Sequence, residues 1–386
     1  MKTLSLRNAA ANGAPEKDIL IILDKEYISD ISVSKISEAD AIFDLNGAAV
    51  FAGFIDIHNH GAVGVDVNAA TADDLRRVGR FLASEGVTAW LPTFVPDADG
   101  VYAKVIAAID EVMETQSGEA IAQIVGVHYE GVFANEKMCG ALRPQYFKTF
   151  ANGDEIDSLP RLKRGVHLTT IAPEIENGIA LIKELRKQNW IVSIGHTRAD
   201  VETLDEAFAA GARHLTHFFN AMTGLHHRET GVVGWGLTNA GATFDIIADG
   251  VHVAPRVLKF GVESKGADKV SLISDSVAPT GLGDGDYDLW GEKISVINGK
   301  TRNERGSIAG SVMTMRDAVK QMRELGFSDF DISKMAGANP AKLLGIEATH
   351  GAVKTGKRAD LVALDADGSV KLTVIGGKVF SQTKYQ

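Results

Sequence analysis

Residues 50–58 read VFAGFIDIH, and a second histidine, His60, follows two positions after His58. An apolar run without strict alternation is what a strand buried on both faces of a parallel sheet requires. The pattern returns seven times along the chain: GVTAWLPTF (86–94), AQIVGVHYE (122–130), GVHLTTIAP (165–173), WIVSIGHT (190–197), ARHLTHFF (212–219), ATFDIIADG (242–250) and KVSLISD (269–275). Amphipathic stretches lie between most of these runs. Leu75, Val78 and Leu82 fall at helical spacing, as do Val201, Leu204 and Phe208, and residues 176–190 read as another helix. Thr71 and Asp200 precede two of the helices and are predicted as N-caps. The link between the sixth and seventh runs is glycine-rich and less clearly helical. Eight consecutive β/α units favour a closed barrel over an open sheet.

Outward from this centre, both ends of the chain are strand-like. Residues 4–6, 18–23 and 28–33 are short apolar runs separated by turn-formers, and residues 359–380 carry DG and GG turns between apolar runs. Residues 293–301 read as a hairpin, and 311–326 and 331–345 as helices. The predicted fold is α/β: a (β/α)8 TIM-like barrel over 53–347, with a small β-sandwich domain formed by 1–52 together with 348–386.

Composition narrows the partners. The 386 residues are 45% hydrophobic and 23% charged, an ordinary globular balance. A formal net charge of −10 with no basic run argues against nucleic acid. No segment approaches the roughly 20 apolar residues that span a bilayer, so no membrane partner is expected. The one cysteine, Cys139, cannot form an internal disulfide, which fits a reducing compartment. The first ten residues lack the long apolar stretch of a signal peptide. These features predict a cytoplasmic protein.

The chemistry-bearing residues collect at one place. His58 and His60 end the first run, and in a strand residues i and i+2 point the same way. Glu130 ends the third run, His196 the fifth, His217 the sixth and Asp275 the eighth. Barrel enzymes place catalytic groups at the C-terminal ends of their strands. Six ligand-type side chains at one barrel mouth suit a divalent ion better than core filling, because buried unpaired groups of this kind cost several kcal/mol each. Other residues have blander readings. His128 could face the same way as Glu130, in a supporting role. His167 and His214 read as structural, and His226, His227 and His350 as surface residues. Gly281, Gly283 and Gly285 read as a mobile loop, since no phosphate-loop lysine follows and no helix opens there. Nothing nearby marks Cys139 as an activated thiol.

Taken together, these residues resemble the amidohydrolase superfamily and, within it, the N-acetylglucosamine-6-phosphate deacetylases. The shared stretches are GFIDIHNHG, HYEG, IAPE, GHT, HFFNAM, RETG, DGVHV, SDSVAPTG and AGSVMTM, with an ending, residues 351–365, typical of the superfamily's β domain. The resemblance covers about Asp18 to Val379. It implies hydrolysis of the N-acetyl group of a phosphorylated amino sugar, releasing acetate. Glu130, His196 and His217 match the main metal ligands, and His58 and His60 a pair that supports a second ion. One or two ions are implied, zinc first, with iron, manganese or cobalt as alternatives. Asp275 matches the catalytic acid/base. Asn220 and Ala221 match substrate contacts. Ala141 and Ile308, Ala309 and Gly310 fall in stretches that line the substrate pocket. Arg228 and His252 match phosphate-binding groups reaching in from the second subunit of a homodimer. Two positions depart from the family pattern: Val132 replaces a proline, and Leu142 replaces a substrate-side histidine. They leave open a glucosamine or a galactosamine substrate. An amidohydrolase acting on a cyclic amide, a dipeptide or an N-acyl amino acid, and a scaffold without catalysis, are the alternatives.

Overall fold

A computed structural model describes residues 2–11, 17–33, 38–151 and 153–381. Eight parallel strands run in chain order around one sheet: β1 (Phe54–Asn59), β2 (Val87–Phe94), β3 (Gly126–Phe133), β4 (Val166–Ile171), β5 (Ile191–Ile194), β6 (His214–Leu215), β7 (Thr243–Ile247) and β8 (Val270–Ile273). Each pairs in parallel with the next. The last meets the first at a bridge between Asn59 and Ser276, flanked by backbone bonds from Asp275 N to His58 O and from His60 N to Ser276 O. The barrel predicted from the eight runs is therefore present, closed at the β8–β1 seam by few backbone contacts. All eight residues of β2 and all eight of β3 are buried, as expected of strands covered on both faces.

Helices pack outside. In α1 (Ala72–Ser84), Leu75, Val78 and Leu82 are buried against the sheet. Thr71 caps it: its side chain accepts from Asp74 N while Asp74 accepts from Thr71 N. Asp200 caps α2 (Val201–Ala210) by accepting from Thr203 N at 2.8 Å. The glycine-rich link between β6 and β7 does carry a short helix, Gly231–Thr238. One hydrophobic cluster joins barrel and helices, with Trp90, Tyr129, Trp190 and Phe244 buried in it.

The two chain ends meet in one sheet. Ala49–Ala52 lies between Thr3–Ala11 and Leu361–Leu364, and a cluster of its own includes Leu4, Leu6, Ile21, Leu361 and Val374. After β8, a three-stranded antiparallel insert (Gly285–Leu289, Glu292–Ile297 and Lys300–Asn303) stands over the barrel mouth. Only its second hairpin was expected. The glycine and aspartate stretch read as a mobile loop ends in an ordered strand from Gly285, paired residue by residue with 292–296. Among the described residues, no helix is long and apolar enough to cross a membrane.

Candidate active site

The six residues expected at the strand ends do converge. His58, His60 and Asp275 form one buried group of potential ligands, and Glu130, His196 and His217 a second. Glu130 joins them. Its Oε1 lies 2.9 Å from His217 Nε2 and 3.1 Å from His196 Nε2, while Oε2 lies 3.3 Å from His60 Nε2. Asp275 Oδ1 approaches His60 Nε2 at 3.2 Å and His58 Nε2 at 3.4 Å.

The backbone bends to achieve this. His196, His217 and Asp275 have φ values of 48°, 34° and 49°, in the left-handed region that non-glycine residues seldom visit. A strand that simply continued would carry these side chains along its own direction. The reversal turns them inward, and such strain clusters at functional sites. Gly310, on the cavity wall, has φ +57°, and a Cβ there would lie 2.5 Å from Val277 Cγ1 and 2.9 Å from Asp275 O. A larger residue would displace the Asp275 turn.

The donor chemistry fits a cation. His60 Nδ1 lies 3.1 Å from Thr93 O, and His196 Nδ1 lies 2.7 Å from Met138 O. A carbonyl oxygen can only accept, so both Nδ1 atoms carry the proton and a neutral ring turns its Nε2 lone pair toward the Glu130 carboxylate. Lone pairs facing a carboxylate near 3 Å repel unless a positive charge sits among them. Without a metal ion, protons take that role. Burial would lower the His60 imidazole, but the Asp275 and Glu130 carboxylates push it up to about 10. His217 is pushed up to about 9 against the same burial, chiefly by Glu130. Burial would likewise raise both carboxyls, yet the surrounding imidazoles hold Glu130 well below the usual carboxylate range and Asp275 below it. Two carboxylates and four imidazoles, with His60 and His196 fixed from behind by backbone carbonyls, match a divalent metal.

Supporting groups lie deeper. His128 stacks edge-on to His58 at 4.7 Å and its Nε2 bonds Thr170 Oγ1 at 2.7 Å. Burial, reinforced by the His58 charge, holds it well below the usual histidine value, so it stays neutral. Asp56 accepts from Ser274 Oγ at 2.6 Å and Asn59 Nδ2 at 3.0 Å, tying β1 to the end of β8 beneath the site. Sequence reading did not find Asp56, because its shorter bond is to Ser274, which is remote in the chain. His214 bonds Thr243 and Asp245 and is structural as expected. His226 and His227 are exposed, whereas His350 is half-buried beside Asp360 rather than a surface residue.

A cavity of about 290 Å³ opens above the two groups of ligands. Ala141, Asn220, Ala221, His252, Ile308 and Gly310 line it with Asp275. Ala309 does not. It is fully buried and packs against Val277 and against Leu289 and Ile294 of the insert. His252 was expected to serve the partner subunit's site, but it lines the cavity of its own chain. The Asp249 carboxylate accepts from Val251 N and His252 N at 2.8 Å each and holds His252 Nδ1 at 2.7 Å, turning the ring over its own barrel. Arg228 is exposed in a separate groove with Arg198, Asp200 and Glu202, outside this cavity. Leu142 and Trp290 also line the cavity. Trp290 was not singled out from sequence, where one aromatic in a polar stretch gives no signal.

Comparison with known proteins agrees with this geometry. Residues 49–380 match the amidohydrolase family. The N-acetylglucosamine-6-phosphate deacetylase of Bacillus subtilis (strain 168) is 34% identical over 388 residues, covering 94% of this chain and 96% of its own. The N-acetylgalactosamine-6-phosphate deacetylase of Escherichia coli O157:H7 is 36% identical over 331 residues, covering 85% of this chain and 86% of its own. Among solved structures, a mutant of the N-acetyl-D-glucosamine-6-phosphate deacetylase of Mycobacterium smegmatis, in complex with N-acetyl-D-glucosamine-6-phosphate, superposes with a TM-score of 0.86 at 28% identity, covering 98% of this chain and 99% of its own. The chain belongs to the amidohydrolase family, among the N-acetylglucosamine-6-phosphate deacetylases.

Proposed function

We propose that this chain hydrolyses N-acetyl-D-glucosamine 6-phosphate to D-glucosamine 6-phosphate and acetate. The observation that carries the reading is the Glu130 carboxylate shared between two histidine groups directly beneath a cavity that His252 and Asn220 line. Glu130, His196 and His217 would hold the principal divalent ion, zinc in the first instance, and His58 and His60 a second. Such an ion acidifies water from a pKa of about 15.7 toward about 7 and polarises the amide carbonyl.

The remaining steps belong to the protein. Asp275 accepts the proton of the attacking water as its oxygen bonds to the carbonyl carbon. It then delivers that proton to the amide nitrogen as the C–N bond breaks, releasing the amine and acetate. Ile308 and Gly310 flank the ligand. Asp249 occupies His252 Nδ1 and leaves Nε2 for the phosphate. Arg228, exposed and away from its own cavity, would complete phosphate binding in the partner site of a homodimer, where its fork suits phosphate oxygens.

Acetate release over a panel of N-acetyl sugars, each with and without the 6-phosphate, tests the reading. Turnover confined to phosphorylated hexosamines is expected. Preferential turnover of a dipeptide or a cyclic amide would overturn it. The galactosamine epimer is the second reading, favoured by Leu142, which replaces a polar substrate-side residue on the cavity wall with an apolar one.

A further inference from the structure

Trp290 stands at the turn between the first two strands of the insert, with φ +55°. Its ring packs edge-on against His60 at 5.3 Å between centroids. Together with Ala141 it also packs on the small apolar cluster of Val277, Leu289, Ile294 and Ala309 that anchors the insert. The indole is thus held from two sides and is a fixed wall. What lies behind it is a second cavity, of about 270 Å³, bordered by Arg143, Tyr146, Glu292 and Arg305. Two residues, Leu142 and Trp290, line both this outer cavity and the catalytic one. They form the partition between them.

The barrel order says which end of the substrate meets this partition. With eight strands in chain order, β2 and β3 lie across the barrel from β6 and β7. His252, the proposed phosphate ligand, follows β7, and Asn220 and Ala221 follow β6. Leu142 follows β3, and Trp290 rests on His60 at the end of β1. On the proposed reaction the scissile carbonyl would lie over the ligands in the middle, with the sugar extending toward His252. The third substituent of the carbonyl carbon, the acyl methyl, then points the other way.

We propose that Trp290, with Leu142, is the residue that sets acyl-chain length: the partition accepts a methyl group and excludes longer acyl chains, which would otherwise run into the outer cavity. This rests on the proposed sugar-phosphate deacetylation. An added methylene must displace the indole from His60 or the leucine side chain from the backbone of Gly131, where a Cβ would already lie 2.3 Å from Leu142 Cδ1. One methylene in an apolar pocket changes kcat/KM by roughly 10- to 200-fold.

The test compares kcat/KM for N-acetyl-, N-propionyl- and N-butyryl-D-glucosamine 6-phosphate in the metal-loaded wild type, Trp290→Phe and Trp290→Ala. The wild type should prefer acetyl over propionyl by roughly 10-fold or more, and Trp290→Ala should erase most of that preference, with Trp290→Phe between them. A merely structural role would lower all three substrates in proportion and leave the ratio unchanged, which overturns the assignment. Should Trp290→Ala fail to fold, Leu142→Ala opens the same partition from the opposite side and must shift the ratio in the same direction. A wild type that deacetylates but shows no acyl-length preference refutes the partition alone. A wild type inert toward the N-acetyl compound refutes the deacetylase reading and this inference with it.

Discussion

Replacing Asp275 with asparagine should abolish most turnover while leaving the fold and the metal in place. The left-handed backbone at this position, φ 49°, is one that asparagine adopts nearly as readily as aspartate. The turn is also pinned by main-chain bonds that do not use the side chain: Asp275 N donates to His58 O, and Ser311 N donates to Asp275 O at 2.7 Å. The amide keeps the size of the carboxylate and can still face His60 and His58, which lie 3.2 and 3.4 Å away. It cannot accept and return a proton. Loss of a general acid–base group costs about a hundredfold to ten-thousandfold in rate, or about 2.7–5.4 kcal/mol of transition-state stabilisation at about 1.36 kcal/mol per factor of ten. Acetate release, metal content and thermal melting of the same preparation measure the three quantities together. A variant with normal metal content and turnover within a few-fold of wild type would show that Asp275 is structural and that the proton moves elsewhere.

Glu130→Gln removes the oxygen charge shared by His196 and His217, and should lower metal affinity by more than the 10- to 100-fold typical of a supporting residue; full metal content by elemental analysis would contradict this. His58→Gln and His60→Asn should lower metal stoichiometry more than rate, read from the same two assays, if one ion suffices for turnover. Arg228→Ala should raise KM for the phosphorylated sugar by roughly tenfold to a hundredfold and barely affect the unphosphorylated one; verified mixed dimers of Arg228→Ala and Asp275→Asn subunits should regain activity, and no recovery would place Arg228 outside the partner's site. In metal-free protein, His60 and His217 are raised from 6.5 to about 10 and about 9, so their contribution to stability is complete below pH 6.5 and lost as pH rises through 9–10. The melting temperature in chelator should therefore fall over that window, and one that rises across it would refute the charge arrangement.

The parts of the site legible in the sequence are those that follow from strand periodicity. A doubly buried strand announces itself by an unalternating apolar run, so the closing residues of each run are known to sit at the barrel mouth, and Glu130, His196, His217 and Asp275 could be placed there. Even β6, only two residues long, was found because it lies within the apolar run 212–219. Thr71 and Asp200 were legible because capping is local. What escaped depends on contacts between distant residues. Asp56 and Ser274 are 218 positions apart, and nothing in either neighbourhood signals the other. Trp290 is an ordinary aromatic until the insert folds back over His60. His252 was placed in the partner's site because position along the chain does not say which way a loop turns, and it is the bonds to Asp249 that decide. Ala309 was placed in the cavity with its neighbours, whereas its side chain turns into the apolar cluster of Val277, Leu289 and Ile294, a contact that only the folded insert supplies.

The seam between β8 and β1 has a consequence for how the molecule comes to be. Every other strand pairing in the barrel joins segments that are near neighbours in the chain, whereas this one joins residues 217 apart, as in the bond from Asn59 Nδ2 to Ser276 Oγ at 2.7 Å. Closing so long a loop costs more chain entropy than any neighbouring pairing, and contacts of such high sequence separation slow folding. The triad of His58, His60 and Asp275 straddles that same seam, two ligands from the first strand and one from the last. A nascent chain lacking Asp275 can hold neither the closed ring nor this triad, so ring closure and completion of the triad are one event, and a cation held there would act as a clasp on the fold as well as part of its chemistry.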